Sequence, residues 1–188
     1  MSAPRTLVIV PAGKMGHEVQ CIGVAERLGA TPVIERVTLR PPWSWLAPHG
    51  PVAPHLSALV ATDAELVLAS GRQAIPLARA IAARPAPRPF VAVLQAPRTD
   101  AAAFDLVWAN SHDRISGPNV IRSVTSPNRL TAEGLAAAAS ALRARLPDLP
   151  RPWVGVLVGA SIVRYRLAEP DAAALGAALA AFGARPRV

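Results

Sequence analysis

Short apolar runs alternate with longer Ala-rich segments along most of this 188-residue chain, and this alternation restricts the fold more than any other feature. The apolar runs are continuous, as in Leu7–Val10 and Phe90–Leu94, which is typical of strands buried on both faces. Strands that alternate with helices form a mostly parallel sheet with helices on both sides. The sequence therefore predicts the α/β class.

The boundaries of the predicted elements follow from periodicity and from the positions of glycine and proline. The predicted strands are Leu7–Val10, Pro32–Leu39, Glu65–Ala69, Phe90–Leu94, Phe104–Trp108, Val120–Val124 and Trp153–Val158. The predicted helices are Glu18–Leu28, His55–Ala61, Gln73–Ala83, Ala132–Leu146 and Pro170–Phe182, and residues 40–54 are predicted as a loop. Prolines between residues 147 and 152 indicate a stiff linker. We therefore expect one domain over residues 1–150 and the start of a second over residues 151–188.

The composition excludes several classes of protein. Hydrophobic residues make up 52% of the chain, enough for a buried core, and charged residues make up 17%, too few for a disordered chain or a coiled coil. Cys21 is the only cysteine, which rules out an intrachain disulfide and fits a reducing compartment. No apolar stretch reaches the roughly 20 residues that span a bilayer. We expect a cytoplasmic protein, with a peripheral position at the inner membrane left open.

The formal net charge is +8, and Lys14 is the only lysine. A genomic preference for arginine codons would explain this bias without any function. Alternatively, the charge attracts phosphate groups or an acidic membrane surface. The arginines are spread singly, which argues against nucleic acid as a partner. Trp43 and Trp45 either cap the core or form an amphipathic lip at a membrane or an acceptor lipid.

Glycines and cationic residues follow the predicted strands, at the edge where a parallel sheet binds its ligands. The loop after the first strand contains Gly13, Lys14, Gly16 and His17, and the loop after the third contains Ser70, Gly71, Arg72 and Gln73. Glycine lets the backbone approach a ligand, and the free N–H groups at a helix start attract an anion. An ordinary turn or a helix cap is the alternative for each loop. The expected partner is a small phosphorylated ligand.

Polar residues also follow the later strands. Gln95 and Arg98 come after the fourth strand, His112 comes after the fifth, and Asn119 lies in the turn before the sixth. His17 is a candidate general base, because a neutral imidazole accepts a proton from a hydroxyl, although capping or packing is the alternative role. The four histidines and the cysteine lack ligand spacing, so we expect neither a metal nor a cofactor. The central prediction is that these four segments meet at one rim of the sheet.

Four motifs occur in order along the chain. They are Gly13-Lys14-x-Gly16-His17-Glu18-x-Gln20-Cys21-x-Gly23, Ser70-Gly71-Arg72-Gln73-Ala74-Ile75-Pro76, Leu94-Gln95-x-Pro97-Arg98, and His112-Asp113-Arg114 with Gly117-Pro118-Asn119-Val120. Together they resemble the elongated-mitochondria (mitochondrial fission) family, over roughly residues 5–182. The ligand-binding set that we predict comprises Gly13, Lys14, Gly16, Gln20, Ser70, Gly71, Arg72, Gln73, Gln95, Arg98, His112 and Asn119.

The resemblance implies a metal-independent glycosyltransferase of the B type, with two Rossmann-like domains that face a cleft. The N-terminal domain would hold a lipid-linked or saccharide acceptor, and the C-terminal domain would hold a nucleotide sugar. His17 would be the base, and Arg72 and Arg98 would hold phosphate. The substrate hydroxyls would be oriented by Gln73, Gln95 and Asn119.

The C-terminal segment departs from the pattern of the family. The loop Gly159-Ala160-Ser161 lacks the second glycine that members usually carry, although Tyr165 matches. Gly159, Ser161 and Tyr165 are the donor-side candidates. Because the chain ends at Val188, the resemblance leaves room for only the first strand and helix of the donor domain. We therefore expect a C-terminal βα fragment of a truncated second domain, which either docks on the first sheet, is completed by a separate chain, or is a remnant.

Three functions remain open on the sequence. The first is glycosyl transfer to a lipid-linked or saccharide acceptor. The second is a non-catalytic binding or adaptor role, since plant members of the family act in mitochondrial division. The third is an inactive half-enzyme of the same fold.

Overall fold

The computed structural model describes residues 3–149, 153–159 and 166–183 of the chain. Its sheet has six strands: β1 (Thr6–Pro11), β2 (Val33–Val37), β3 (Leu66–Ser70), β4 (Phe90–Leu94), β5 (Leu106–Asn110) and β6 (Val120–Ser123). They lie in the order β2-β1-β3-β4-β5-β6, and every neighbouring pair is parallel. The predicted α/β class, with a Rossmann-like parallel sheet, is confirmed.

The helices of the described residues are α1 (Met15–Arg27), α2 (Trp43–Leu46), α3 (Ile75–Ala82), α4 (Ala132–Arg145) and α5 (Glu169–Gly183). Two short 3₁₀ helices cover Pro54–Ala61 and Ala101–Ala103. None of the helices in the described part of the chain has both the length and the apolar character needed to cross a membrane.

The sheet buries both of its faces, because successive residues of a strand point to opposite sides. Leu7 and Ile9 of β1 join one apolar cluster, which includes Ile75 and Leu77 of α3. Val8 and Val10 of the same strand join a second cluster, which includes Cys21 and Ala25 of α1. Helices α1 and α3 therefore cover opposite faces, and the continuous apolar pattern of β1 is explained by burial on both sides.

The strand order contains one reversal. From β1 the chain first adds β2 on one side, and then crosses to add β3 on the other side of β1. In open parallel sheets, ligands bind beyond the carboxyl ends of the strands where such a reversal occurs. The order therefore marks the carboxyl ends of β1 and β3 as the expected ligand crevice.

The segment predicted as a loop over residues 40–54 contains the short helix α2, and the predicted helix His55–Ala61 is a 3₁₀ helix that begins at Pro54. Proline at the first position fits a helix start, because its missing N–H is not needed there. Trp43 packs against the core, whereas the side chain of Trp45 is 74% exposed. The two tryptophans thus differ in role, and only Trp43 caps the core.

The chain divides into two compact units, Met1–Ala139 and Ser140–Val188. In the second unit, helix α5 forms close to its predicted bounds. The predicted strand Trp153–Val158 is wrong, because residues 153–159 adopt no regular secondary structure. Val154 and Leu157 are largely exposed, so this apolar run lacks the burial that its pattern suggested. Of the expected βα fragment, the described residues contain the helix alone.

Candidate functional site

A cleft of about 490 Å³ opens at the carboxyl ends of the central strands in the first unit. It contains residues that follow β1, β3, β4 and β5. Its lining comprises His17, Gly71, Arg72, Ile75, Val93, Gln95, Ala96, Pro97, Arg98, Asn110, His112 and Asp113. The structure therefore brings together His17, Gly71, Arg72, Gln95, Arg98 and His112 from the set that the sequence predicts.

The end of the cleft at the strand reversal is built around His17. Its Nδ1 lies 2.9 Å from Oγ of Ser70, the last residue of β3, and that hydroxyl donates to the carbonyl oxygen of Leu94 at 2.8 Å. Ser70 is fully buried and Leu94 is 1% exposed. Three neighbouring elements, α1, β3 and β4, thus meet in one hydrogen-bonded chain.

The first turn of α1, which carries His17, is fixed to the sheet by an ion pair. Arg36 in β2 donates two hydrogen bonds to the carboxylate of Glu18, from Nε at 2.7 Å and from Nη2 at 2.6 Å. These hydrogen bonds lower the pKa of Glu18, although its burial acts in the opposite direction. A bidentate pair of this kind restricts the orientation of both groups. The backbone next to His17 is therefore anchored independently of the imidazole.

Gly71 allows β3 to end close to both Pro11 and His17. Its backbone has a φ of +89°, a region that side chains with a Cβ rarely adopt. A Cβ at this position would lie 2.7 Å from Cγ of Pro11 and 3.2 Å from Nε2 of His17. Both the backbone angle and the space thus require glycine, and the absence of a side chain leaves Nε2 open to the cleft.

Partial burial lowers the pKa of His17 below its ordinary value of 6.5, and the positive charge of Lys14 lowers it further. Both effects disfavour the charged imidazolium. At neutral pH the ring is therefore neutral, which is the state that accepts a proton from a hydroxyl.

Two arginines line the cleft in different ways. Arg72 donates from Nη2 to the carbonyl oxygen of Trp45 at 3.0 Å, which holds its guanidinium against α2. Arg98 is exposed, and within the described residues its side chain makes no hydrogen bond or ion pair. Its backbone φ is +59°, and Gln95 three residues earlier has a φ of +80°. Non-glycine residues with such angles concentrate at ligand sites, since the strain is retained only where the surroundings enforce it.

Gln95 also connects the loop after β4 to helix α1. Its Nε2 donates to Oε1 of Gln20 at 3.2 Å. Gln20 itself does not line the cleft. In this structure Gln20 therefore supports the side chain of Gln95.

The end of the cleft at β5 is more open. The side chain of His112 is 77% exposed, and its Nε2 lies 3.9 Å from Oδ1 of Asp113. Oδ2 of Asp113 accepts a hydrogen bond from the backbone N–H of Asn110 at 3.2 Å. Asn110 and Asp113 are cleft residues that the predicted set leaves out, although both follow or end the fifth strand, which was the signal used for the others.

Two members of the predicted set lie elsewhere. Oε1 of Gln73 accepts from the backbone N–H of Leu39 at 3.0 Å, so its side chain serves the packing of the segment after β2. Asn119 precedes β6 and therefore lies at the amino edge of the parallel sheet. Its amide donates to the carbonyl oxygens of Ala101 and Phe104, both at 2.8 Å. Neither residue lines the cleft: Gln73 lies at the predicted rim with its side chain bonded to Leu39, whereas the prediction that Asn119 joins the rim is wrong, because it lies at the opposite edge of the sheet.

The remaining candidates fall into two groups. Gly13, Lys14 and Gly16 are exposed at the start of α1, next to the cleft residue His17 but outside the lining itself. Gly13 has a φ of +72°, and a Cβ there would meet open space. On the donor side, Gly159 is exposed in the second unit, whereas Ser161 and Tyr165 lie outside the described residues.

The described part of the chain contains no group of three or more His, Cys, Asp or Glu side chains that could hold a metal ion. The cleft contains the neutral imidazole of His17, two guanidinium groups, the side-chain amides of Gln95 and Asn110, and the imidazole and carboxylate of His112 and Asp113. These groups are suited to binding an anion and to moving a proton.

Comparisons with known proteins agree with the motifs. A family model described as Mitochondrial fission ELM1 matches residues 15–187. Neither the curated proteins nor the solved structures contain a match to this chain.

Proposed function

The chain belongs to the mitochondrial fission ELM1 family, and from this premise we propose that it takes part in metal-independent glycosyl transfer. In this proposal the cleft of the first unit binds a phosphorylated acceptor, lipid-linked or saccharide, and presents one of its hydroxyls to His17. The donor is a nucleotide sugar. The observation that carries the proposal is the contact between His17 and Ser70 at the strand reversal, the position at which open parallel sheets generally bind ligands.

The cations of the cleft support a phosphorylated ligand. Arg98 has a guanidinium group that no described residue pairs, and Arg72 lines the same cleft with only one of its nitrogens bonded to Trp45. A guanidinium fork matches the oxygens of a phosphate, and hydrogen bonds between charged groups are stronger than those between neutral ones. Lys14 adds a further positive charge next to His17.

The imidazole supports a transfer step that begins with a hydroxyl. The oxygen of the acceptor hydroxyl forms a bond to the anomeric carbon of the sugar, while its proton passes to His17. The bond between that carbon and the phosphate oxygen of the donor breaks, and its electron pair remains on the nucleoside diphosphate. A positioned base of this kind contributes about 10²- to 10⁴-fold to a rate.

The test is release of the nucleoside diphosphate from a panel of nucleotide sugars, with and without lipid-linked and saccharide acceptors. We expect acceptor-dependent release by the wild-type protein and a loss of about 100-fold or more in His17→Gln. His55→Gln is the matched control, because His55 is an exposed histidine of the 3₁₀ helix Pro54–Ala61 and does not line the cleft.

Two outcomes would contradict the proposal. Equal activity in His17→Gln and wild type would remove His17 from the reaction. Tight binding of a phosphorylated acceptor with no release from any donor would favour the binding or adaptor role instead. Circular dichroism of each variant checks that the fold is retained.

A further inference from the structure

We propose that the hydroxyl of Ser70 fixes the tautomer of His17, so that Nδ1 carries the proton and Nε2 is the nitrogen that accepts one in the cleft. Ser70 is then a positioning residue that acts through His17. The use of Nε2 as a base rests on the proposed function, whereas the tautomer itself is a property of the free protein.

The inference depends on the direction in which the hydroxyl proton of Ser70 points. A serine hydroxyl has a single proton to donate and can accept through its lone pairs. Oγ of Ser70 lies 2.8 Å from the carbonyl oxygen of Leu94, which can only accept, and 2.9 Å from Nδ1 of His17. The hydroxyl proton therefore points to Leu94, and the proton between Oγ and the ring belongs to Nδ1.

The opposite arrangement is unfavourable in this environment. If Ser70 donated to an unprotonated Nδ1, two oxygens without a proton between them would face each other at the 2.8 Å distance to Leu94. Ser70 is 0% exposed and Leu94 is 1% exposed, so water is not available to separate or satisfy them. Buried acceptors that lack a donor are costly, which makes one direction of the hydrogen-bonded chain dominant.

The other ring nitrogen is open towards the ligand. Nε2 of His17 faces Gly71, and the lack of a Cβ at Gly71 keeps the space beside it free. When Nε2 takes a proton from a substrate hydroxyl, Nδ1–H keeps its hydrogen bond to Oγ of Ser70. The hydrogen-bonded chain from Ser70 to Leu94 then stabilises the positive ring without any rearrangement.

The test is ¹⁵N NMR of the histidine side chains in the free protein, recorded at about pH 8, where the ring is neutral. The two nitrogens of a neutral imidazole have distinct shifts, and comparison with His17→Gln assigns the signal. We expect the wild-type ring to carry its proton on Nδ1. In Ser70→Ala, Nδ1–H loses its acceptor, and we expect the tautomer ratio to move towards Nε2–H by about 2- to 10-fold, as the loss of one neutral hydrogen bond predicts.

Each outcome decides a separate point. A wild-type ring protonated on Nε2 would overturn the inference, even if Ser70→Ala did not fold. A folded Ser70→Ala with an unchanged tautomer ratio would overturn the role of Ser70. Ser70→Cys, which keeps a weak acceptor of similar size, should give an intermediate ratio. Because no substrate is needed, a failure of the transfer assay would leave this measurement intact, and the two proposals can fail independently.

Discussion

The two ends of the cleft both present a histidine, yet they are built differently. At the strand reversal, His17 is partly buried, its Nδ1 is bonded to Ser70, and its helix is anchored through Glu18. At the β5 end, the side chain of His112 is 77% exposed, and the one charged partner that the described residues give it is a carboxylate oxygen of Asp113 at 3.9 Å. A long contact with an exposed imidazole contributes little to its orientation. The difference indicates that the reversal end is the part of the cleft suited to chemistry, and the β5 end is suited to adjustable contact with a ligand.

Of the variants considered, we expect Gly71→Ala to have the largest effect on stability, because it disrupts the packing at the strand-reversal end of the cleft. The added Cβ adopts an unfavourable backbone angle and meets the rigid ring of Pro11 at 2.7 Å. Strain of about 1–2 kcal/mol and overpacking of about 1–3 kcal/mol both reduce the free energy of unfolding. Gly13→Ala is the matched control, because it has a similar φ of +72° with nothing within 4 Å of the Cβ.

Urea denaturation of the two variants separates strain from crowding. We expect Gly71→Ala to lose more stability than Gly13→Ala by about 1–3 kcal/mol, the contribution of overpacking. Equal losses in the two variants would mean that Pro11 and His17 do not crowd Gly71. That result would contradict the close packing described for the reversal end of the cleft.

A smaller effect concerns the pH dependence of stability. The folded protein holds the pKa of His17 below 6.5, through burial first and Lys14 second. Between the lowered value and 6.5, the unfolded chain binds more protons at this site than the folded one. The contribution of His17 to stability is therefore fully present above pH 6.5 and is lost as the pH falls towards its folded pKa.

Variants at Lys14 and His17 test whether His17 causes this pH dependence of stability. Lys14→Ala should raise the pKa of His17 and reduce the loss of stability below pH 6.5, and His17→Gln should remove that contribution. Arg27→Ala is the control, because it deletes the same charge from α1 at a position ten residues beyond His17, about 15 Å from it, which exceeds the screening length at physiological salt. Denaturation midpoints measured from pH 5 to 8 test the sign. A greater loss of stability at low pH in Lys14→Ala than in wild type would contradict it.

Much of the fold was predictable because it depends on local patterns. The bounds of β4 agree with the predicted strand, and both ends of each of the other five strands lie within two residues of the predicted positions. Continuous apolar runs such as β1 indicate burial on both faces regardless of what packs there. The run at Trp153–Val158 is also apolar but adopts no regular secondary structure, which the sequence pattern alone does not reveal.

The site was predictable only in part, because side-chain partners are not local. The rule that ligands bind at carboxyl ends of strands correctly grouped His17, Arg72 and Arg98. It did not separate them from Gln73, whose side chain bonds to the backbone of Leu39. The contact between His17 and Ser70 joins residues 53 positions apart, and no sequence spacing specifies its geometry.

The most direct test of the account is to titrate ¹⁵N-labelled protein with pyrophosphate and follow the backbone amides. We predict saturable shifts at Gly71, Arg72, Gln95 and Arg98, with affinity about 10-fold weaker in Arg98→Ala and unchanged in Arg27→Ala. A second arginine-lined hollow, formed by Arg5, Arg84 and Arg88 with Asp63 and Glu65, provides an internal comparison. Shifts centred on that hollow, or no saturable shift at all, would contradict the assignment of the ligand to the cleft.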